Sequence, residues 1–508
     1  MTRLLIAGVL ALLASQAGNA APASTRGPLE GRPDAIVDLN STDGLNLVRG
    51  AWTFQDAVPG SPAIAITAGG LLDRRGPGGT SAAWYRIRVT IPESVGPLST
   101  AGTSALFEVV VDDYAEVRVN GKLPRALGLS GASLVAGFNA PNRVVLTRDA
   151  RPGQTFDIEV YAINAPISDP PSNYIWIRSA TIDFYNNDTT RRNAALTIDR
   201  KSPGLDSILA PGTTLEHLAT GFQFTEGPVW VPAERSLLFS DPNDNTIYRW
   251  NDDTGISVFR VKSGYSGANI GEYRQPGSNG LALDAEGRLT IAEHGNRRIS
   301  RIEPKGQVTV LADRYEGKQL NSPNDLVYKS DGSLYFTDPP FGLPRVYDDP
   351  RKELPYTGVF RLKDGKLTLL STELKGPNGI AFSPDERYLY VANWDEQRKI
   401  VMRYDVTADG RLANGRVFFD MTGAPGDEAL DGVKVDRAGN LFVSGPGGVW
   451  VLSPDGLHLG TIKGPELAAN MAWGDDDGKT LYLTARSGVY RLRVLTGASR
   501  PAATVTMR

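Results

Sequence analysis

Apolar and polar residues alternate in short stretches along most of the chain. In the first third they do so over residues 83–92, 107–111, 115–119 and 156–161. A period of two predicts β-strands with one buried face, and Asn120-Gly121 after the third stretch predicts a tight hairpin turn, because both positions need a positive φ. No helical period interrupts these strands, so residues 21–188 are predicted to form an antiparallel β-sandwich.

From about residue 211 onward the pattern becomes a repeat. A short strand that begins with Glu, Asn or Asp is followed by a turn and a second apolar strand, and this unit occurs six times at intervals of about 40–55 residues. The spacing is typical of four-stranded propeller blades, and the period of two excludes a helical solenoid. We therefore predict an all-β protein with a six-bladed β-propeller at 211–497. A polar, turn-rich linker at 189–210 is predicted before it and a tail at 498–508 after it.

The residue that begins each unit carries the candidate chemistry. Because the first strand of a blade lines the central channel, six polar side chains are predicted to converge there: Glu226, Asn279, Asn324, Asn378, Asp431 and Asn470. Buried carboxylates and amides are costly without partners, and their oxygens are the ligands that Ca²⁺ prefers. The pattern favours a divalent cation site over the alternative, a water-filled channel in which these residues are structural.

The N-terminus and the composition indicate an exported protein. Met1-Thr2-Arg3, an apolar run at 4–13 and small residues ending in Gly18-Asn19-Ala20 predict a signal peptide at 1–20, and the run is too short for the alternative, a membrane anchor. We expect a periplasmic or secreted protein without a membrane span. The chain has no cysteine, and its 54 basic and 57 acidic residues include no long basic run, which argues against a nucleic-acid partner.

Five motifs in the repeat region resemble the gluconolactonase/regucalcin (senescence marker protein) family. They are Phe-Thr-Glu-Gly-Pro-Val-Trp at 224–230, Asn-Ser-Pro-Asn-Asp-Leu at 321–326, Gly-Ser-Leu-Tyr-Phe-Thr-Asp-Pro at 332–339, Gly-Pro-Asn-Gly at 376–379 and Leu-Asp-Gly at 430–432. The resemblance covers residues 215–495. It implies a six-bladed propeller that hydrolyses sugar lactones with one divalent cation, Ca²⁺ or Zn²⁺, in its channel.

The resemblance also implies roles for single residues. Glu226, Asn378 and Asp431 would be metal ligands, and Asn324 a further ligand or a substrate contact. Asp431, as general base, and Asn324 are the candidate catalytic residues.

Further residues are candidates for contacts with substrate. Asn279, His294 and Asn470 are assigned to substrate binding, with a loop or supporting role as the alternative for His294. Ser322 stands where regucalcin-like members have Arg, which indicates different sugar recognition there. Three aromatic residues are candidates for the pocket wall or, alternatively, for the core: Tyr315, Phe341 and Trp394.

Two other functions stay open at the level of sequence. One is a related metal-dependent esterase or phosphotriesterase, since diisopropyl fluorophosphatase and paraoxonase share the architecture. The other is a non-catalytic, glycan-binding propeller. In the first domain, Trp84-Tyr85-Arg86 and residues 112–114 and 117–122 resemble the galactose-binding-like jelly roll, which implies that this domain binds glycan or serves as a docking module.

Overall fold

The structure is a computed structural model that describes residues 33–66, 82–111, 114–122, 141–163, 175, 177–186, 193–252, 255–304, 306–426 and 428–499. The predicted signal peptide and residues 500–508 lie outside the described residues. Nearly all regular elements are strands, so the prediction of an all-β protein is confirmed. The helical elements of the described residues are one α-helix, Thr42–Leu47, and short 3₁₀ turns at Pro203–Ser207, Pro232–Glu234, Ile270–Glu272 and Val346–Asp348.

Two antiparallel sheets form the sandwich of the first part of the chain. In spatial order, one contains Ala35–Asp38, Ile177–Tyr185, Ser104–Val111 and Pro141–Thr147, and the other Ile64–Ile66, Trp52–Asp56, Ala82–Thr90, Thr155–Ile163 and Tyr114–Val119. A minor hairpin pairs Ser94–Val95 with Leu98–Ser99. Alternate residues of both sheets meet in one core, such as Phe107 and Ile182 from the first and Tyr85 and Ile87 from the second.

The hairpin turn predicted at Asn120-Gly121 is present. The backbone groups of Val119 and Lys122 exchange hydrogen bonds of 2.9 and 3.0 Å across it. Asn120 and Gly121 have φ values of 52° and 72°, the positive values that a two-residue turn of this kind requires.

Six sheets of four or five antiparallel strands form the propeller. From the channel outward, the strands are Glu226–Val231, Ser236–Asp241, Thr246–Asn251 and Gly255–Val261 in blade 1, and Ser278–Leu283, Leu289–Glu293, Arg298–Ile302 and Val308–Ala312 in blade 2. In the same order they are Leu326–Tyr328, Leu334–Asp338, Gly358–Lys363 and Lys366–Ser371 in blade 3, and Pro377–Phe382, Tyr388–Asn393, Ile400–Val406 and Leu412–Asp420 in blade 4. They are Val433–Val435, Leu441–Gly445, Gly448–Leu452 and His458–Lys463 in blade 5, and Asn470–Gly474, Thr480–Ala485, Gly488–Arg493 and Leu215–Thr220 in blade 6. Each inner strand contacts the inner strand of the next blade, and the sixth contacts the first. A small hairpin, Arg314–Tyr315 with Lys318–Gln319, lies between blades 2 and 3.

The sixth blade closes the ring with a strand from before the first. Leu215–Thr220 pairs antiparallel with Gly488–Arg493, so the two ends of the propeller sequence share one sheet. The N-terminal end of the propeller is thereby held by the last blade through backbone hydrogen bonds.

The predicted linker at 189–210 contains regular structure. Asn193–Ala194 pairs with the closing strand, Thr197–Arg200 adds a fifth strand to blade 5, and Pro203–Ser207 forms a 3₁₀ turn that contacts His458–Lys463 of blade 5. Over 193–207 the predicted linker therefore contains regular structure, and its role as the connection between the two domains stays a prediction. These strands lie at sheet edges and are at most half-buried, so they carry no alternating apolar pattern that would reveal them.

Candidate functional site

Hydrogen bonds link the inner strands at the six polar residues that begin the repeat units, which we call the ring residues. Gly280 donates its N–H to the carbonyl of Asn324 at 2.7 Å, Gly379 donates to that of Asp431 at 3.1 Å, and the Asn470 amide donates to Glu226 at 3.1 Å. Thr337, whose carbonyl accepts from the Asn324 N–H, donates its hydroxyl to the Asn378 carbonyl at 2.9 Å. Five of the six side chains are buried, and Asp431 is half-buried.

Glycine follows most of the ring residues, and its lack of a side chain lets neighbouring inner strands approach closely. A Cβ atom on Gly280 would lie 2.6 Å from the carbonyl oxygen of Asn324, and one on Gly379 would lie 2.3 Å from that of Asp431. At Gly227, where φ is +52°, a Cβ would lie 1.8 Å from the Asn279 carbonyl. These distances are too short for any side chain, so glycine is needed where one inner strand touches the next.

Residues at the ends of second strands hold the loops that lead to the inner strands. Asp241 accepts hydrogen bonds from the backbone N–H groups of Gln223 and Phe224 at 2.7 and 3.2 Å. Asp338 does the same for Asn321 and Ser322 at 2.8 and 2.9 Å. The side chain of Asn393 accepts from Gly376 at 3.1 Å in blade 4. These bonds fix the backbone two or three residues before Glu226, Asn324 and Asn378.

Glu226 is held by a network that Asp325 and Lys434 complete. Its Oε2 accepts from the Gly227 N–H and from the Asn470 amide. The same amide nitrogen lies 3.5 Å from Asp325 Oδ2, which is also 3.5 Å from Lys434 Nζ. The amide of Asn470, predicted to bind substrate, is thus engaged with protein carboxylates.

His294, also predicted to bind substrate, contacts Asn324 instead of facing open solvent. It is fully buried, and its Nε2 accepts from the Asn324 amide at 3.3 Å. Burial lowers the pKa of His294 to about 3, so the ring is neutral at physiological pH. The contact uses the NH₂ group of Asn324 and leaves its Oδ1 for the channel.

Three buried oxygen atoms of the ring have no hydrogen-bond donor: Glu226 Oε1, Asn279 Oδ1 and Asn324 Oδ1. Burying such atoms without a partner costs free energy, and a hard cation is the group that carboxylate and carboxamide oxygens satisfy best. Within the described residues, no three His, Asp or Glu side chains form a metal cluster of their own. A site here depends on amide oxygens beside two carboxylates, a donor set that fits a divalent cation.

The electrostatics of the two ring carboxylates agree with that donor set. Burial and then the neighbouring charge of Asp325 raise the pKa of Glu226, although the Gly227 N–H, Asn470 and Lys434 oppose the shift. Burial and then the charges of Glu226 and Asp325 raise the pKa of Asp431 well above its usual range, opposed by Asn378. A bound proton or cation stabilises carboxylates whose pKa is raised by burial and by neighbouring negative charge.

The residues predicted as a pocket wall divide into two groups. Tyr315 packs edge-on against Phe360 in the core of blade 3, with ring centroids 5.3 Å apart. Phe341 and Trp394 contact each other at 6.2 Å, and Trp394 is 38% exposed beside the loop that leads to Asn378.

Ser322, which stands where an Arg was expected, is part of the backbone support. It is buried, donates to the Pro339 carbonyl at 2.7 Å and accepts from the Gly342 N–H at 2.9 Å. Its hydroxyl therefore fixes the loop after the second strand of blade 3.

Sequence reasoning missed Asp325 and Lys434. Both were visible as departures from the repeat: Asp325 stands where four other units have glycine, and Lys434 is the one charged residue at its position in the units.

A concave site of about 450 Å³, lined by residues that include Thr213, Asp477 and Arg493, contains none of the ring residues.

The fold and the ring define the class of protein: a β-propeller whose channel is lined at one end by buried carboxylate and amide side chains. The chain belongs to the SMP-30/gluconolactonase/LRE-like family, whose pattern it matches over residues 224–487. It is 40% identical over 308 residues to the gluconolactonase of Zymomonas mobilis, covering 59% of this chain and 86% of that protein. It is 26% identical to pentonolactonase XacC of Haloferax volcanii, covering 53% and 84%.

A solved structure of a gluconolactonase from Xanthomonas campestris is similar to the propeller. It is 33% identical and superimposes with a TM-score of 0.52 over 59% of this chain and 96% of that one. The predicted family and the propeller fold are thereby confirmed. In the described residues, no helix has the length and apolar character needed to cross a membrane.

Proposed function

We propose that this protein hydrolyses sugar lactones at the mouth of the propeller channel, with a divalent cation bound by the ring. The observation that carries the proposal is the set of three buried oxygens without donors, on Glu226, Asn279 and Asn324, next to the half-buried carboxylate of Asp431. The gluconolactonase and pentonolactonase relatives support lactones as substrates.

The cation would be held by Glu226, Asn324, Asn378 and Asp431. Once bound, a Ca²⁺ or Zn²⁺ ion supplies Lewis-acid polarisation of a carbonyl oxygen. Hydrogen bonds within the protein hold two of these residues in place before the cation binds. Asn470 orients Glu226, and His294 orients Asn324 so that its Oδ1 faces inward. A preorganised donor set does not have to spend binding free energy on ordering its own side chains.

Asp431 is the proposed general base. Of the two ring carboxylates it is the less buried one, which favours it over Glu226 for contact with water and substrate. In the proposed reaction, a water oxygen bonds to the lactone carbonyl carbon while the carboxylate takes a proton from that water. The bond between the carbonyl carbon and the ring oxygen then breaks, and the departing oxygen receives the proton, giving the open hydroxy acid. As the alternative to binding the cation, Asn324 Oδ1 can accept a hydrogen bond from the attacking water.

The experiment is hydrolysis of glucono-1,5-lactone by the wild type, Glu226→Gln and Asp431→Asn, with Ca²⁺ binding measured on the same samples. Both substitutions should lower kcat/KM by at least about 100-fold, the size expected for loss of a catalytic acid-base group or its charge partner. The matched control is Asp284→Asn, which changes a buried carboxylate paired with Arg288 outside the ring. It should alter stability but leave both activity and Ca²⁺ binding. Wild-type-like activity in Asp431→Asn would overturn the proposed base.

Export and glycan binding stay predictions. Cleavage after Ala20 in a periplasmic fraction would support export. Retention of the first domain on immobilised glycans would support a binding role for the sandwich.

A further inference from the structure

Asp325 and Lys434 form an ion pair inside the channel that the cation site does not itself require. Lys434 Nζ lies 3.5 Å from Asp325 Oδ2, and the two side chains are 23% and 4% exposed. They belong to blades 3 and 5, so the contact spans two blades that are not neighbours in the ring. In the other units the position of Lys434 is held by uncharged residues: Val229, Ala282, Val327, Ala381 and Trp473.

The hydrogen bonds of Asp325 distinguish it from the ring carboxylates. Its Oδ1 accepts from the Leu326 N–H at 2.9 Å, and its Oδ2 contacts Lys434 and the Asn470 amide. Both oxygens are therefore engaged by protein groups, whereas Glu226 Oε1 has no donor. Asp325 is suited to hold Lys434 and Asn470 rather than an added ion.

The ion pair leaves this end of the channel with a net charge of two negative units when its carboxyl groups are ionised. Glu226, Asp325 and Asp431 carry three negative charges when ionised, and Lys434 neutralises the one on Asp325. The remaining two carboxylates match a single divalent cation. Without the ammonium group, a third negative charge would act on the same small volume, where the effective dielectric constant is far below that of water.

We propose that Lys434 is a resident counter-cation, which neutralises Asp325 and so tunes the channel site to one divalent ion. This inference rests on the proposed cation site. It assigns Lys434 and Asp325 a role in cation affinity and charge selectivity, and no role in contacting substrate.

The test is titration calorimetry of EDTA-treated, full-length protein with Ca²⁺ and, separately, with Tb³⁺. Lys434→Met should bind Ca²⁺ about tenfold more tightly and Tb³⁺ with a still larger gain, because an added negative charge attracts a trivalent ion more strongly. Lys434→Arg keeps the charge and should stay within about threefold of the wild type for both ions. Unchanged or weaker Ca²⁺ binding by Lys434→Met would overturn the inference.

Asp325→Asn should change Ca²⁺ affinity in the opposite direction. It leaves the Lys434 charge uncompensated, so Ca²⁺ binding should weaken by about tenfold or more. The double variant Lys434→Met/Asp325→Asn should return to within about threefold of the wild type. A purely structural pair would instead weaken binding in both single variants and in the double variant, and that result contradicts the proposal.

Two measurements separate failure of this inference from other failures. Circular dichroism of each cation-free variant shows whether it folds, and Lys434→Gln replaces Lys434→Met if the latter does not. If the wild type binds neither ion, the proposed cation site is wrong and the inference falls with it. If the wild type binds Ca²⁺ and Lys434→Met binds it equally, only the inference is wrong.

Discussion

At the scale of single residues, the ring is defined by which polar atoms are paired and which are not. Asn324 gives its amide hydrogens to His294 and Asn470 gives its own to Glu226, so the orientation of each amide is set by a neighbour. The unpaired oxygens of Glu226 and Asn324 are the ones the proposed cation would satisfy, and that of Asn279 stays a candidate contact for substrate. Supporting contacts of this kind commonly tune metal affinity as strongly as some ligands do.

The support of Glu226 by Asn470 can be tested directly. Asn470→Leu removes the amide that holds Glu226 Oε2, so Ca²⁺ affinity should fall by about 10-fold or more, the usual effect of losing a supporting contact to a ligand. Calorimetry measures this fall. Asn440→Leu, at a buried amide that bonds to Asp436 outside the ring, is the control and should keep wild-type affinity. Equal affinities in both variants would show that Asn470 does not position Glu226.

Asp338 should make stability depend on pH. Burial raises its pKa to about 7, opposed by the N–H groups of Asn321 and Ser322. A native carboxyl with a raised pKa keeps its proton while the unfolded chain loses it, so the free energy of unfolding falls as pH rises from about 4 to about 7. Each unit of pKa difference corresponds to about 1.4 kcal/mol.

Asp338→Asn should therefore reduce the loss of stability between pH 5 and pH 8. Urea denaturation in EDTA at both pH values measures it, and EDTA keeps cation binding out of the comparison. If the variant and the wild type lose the same free energy over this range, burial of Asp338 does not shift its titration as described.

At the scale of elements, close contact between inner strands determines the geometry of the ring. Gly379 touches the backbone of blade 5, and Gly280 touches that of blade 3. The small size of these residues lets six strands approach closely enough for their first side chains to share one volume. The inner strands therefore both pack the centre of the propeller and position the side chains of the ring.

Gly379→Ala should destabilise the propeller by about 1–3 kcal/mol, the range for overpacking a tight contact. The new Cβ would lie 2.3 Å from the Asp431 carbonyl, so blades 4 and 5 must separate and Ca²⁺ affinity should fall as well. Gly423→Ala is the matched control, because nothing lies within 4 Å of its Cβ position. Thermal unfolding measures stability; equal effects of the two substitutions would contradict the strand-contact argument.

Sequence reasoning predicted the elements with a strong local pattern. The period-two strands, the Asn120-Gly121 turn and the six repeat units follow from residues close together in the chain. The closing strand does not, because Leu215 pairs with Leu492 and nothing near either residue indicates the other. The partners of the ring residues were missed for a similar reason: the Asp325 and Lys434 contact joins residues that are distant in sequence.

At the scale of the whole molecule, the propeller is a closed ring whose first strand belongs to its last blade. Buried Leu218 and Ala219 of the closing strand lie in the cluster that contains Trp230 of blade 1 and Val489 of blade 6. This one strand therefore contributes to the packing of both ends of the repeat region. Opening the ring would expose an unpaired sheet edge, which favours aggregation.

Truncation should show where the propeller begins. A chain that starts at residue 193 retains the closing strand and the edge strands at Asn193–Ala194 and Thr197–Arg200, and we expect it to be monomeric with a cooperative unfolding transition. A chain that starts at residue 222 lacks all three and should aggregate. Size-exclusion chromatography distinguishes them; two equally well-behaved chains would mean that closure by Leu215–Thr220 is dispensable.

The central claim is that the ring binds a divalent cation on which lactone hydrolysis depends. The most direct measurement is the initial rate of glucono-1,5-lactone hydrolysis by the wild type after EDTA treatment, followed by titration with Ca²⁺ or Zn²⁺, with bound metal determined in parallel. The account predicts that the enzymatic rate disappears with the metal and returns as one equivalent binds. A full rate in protein that contains no bound cation would contradict it.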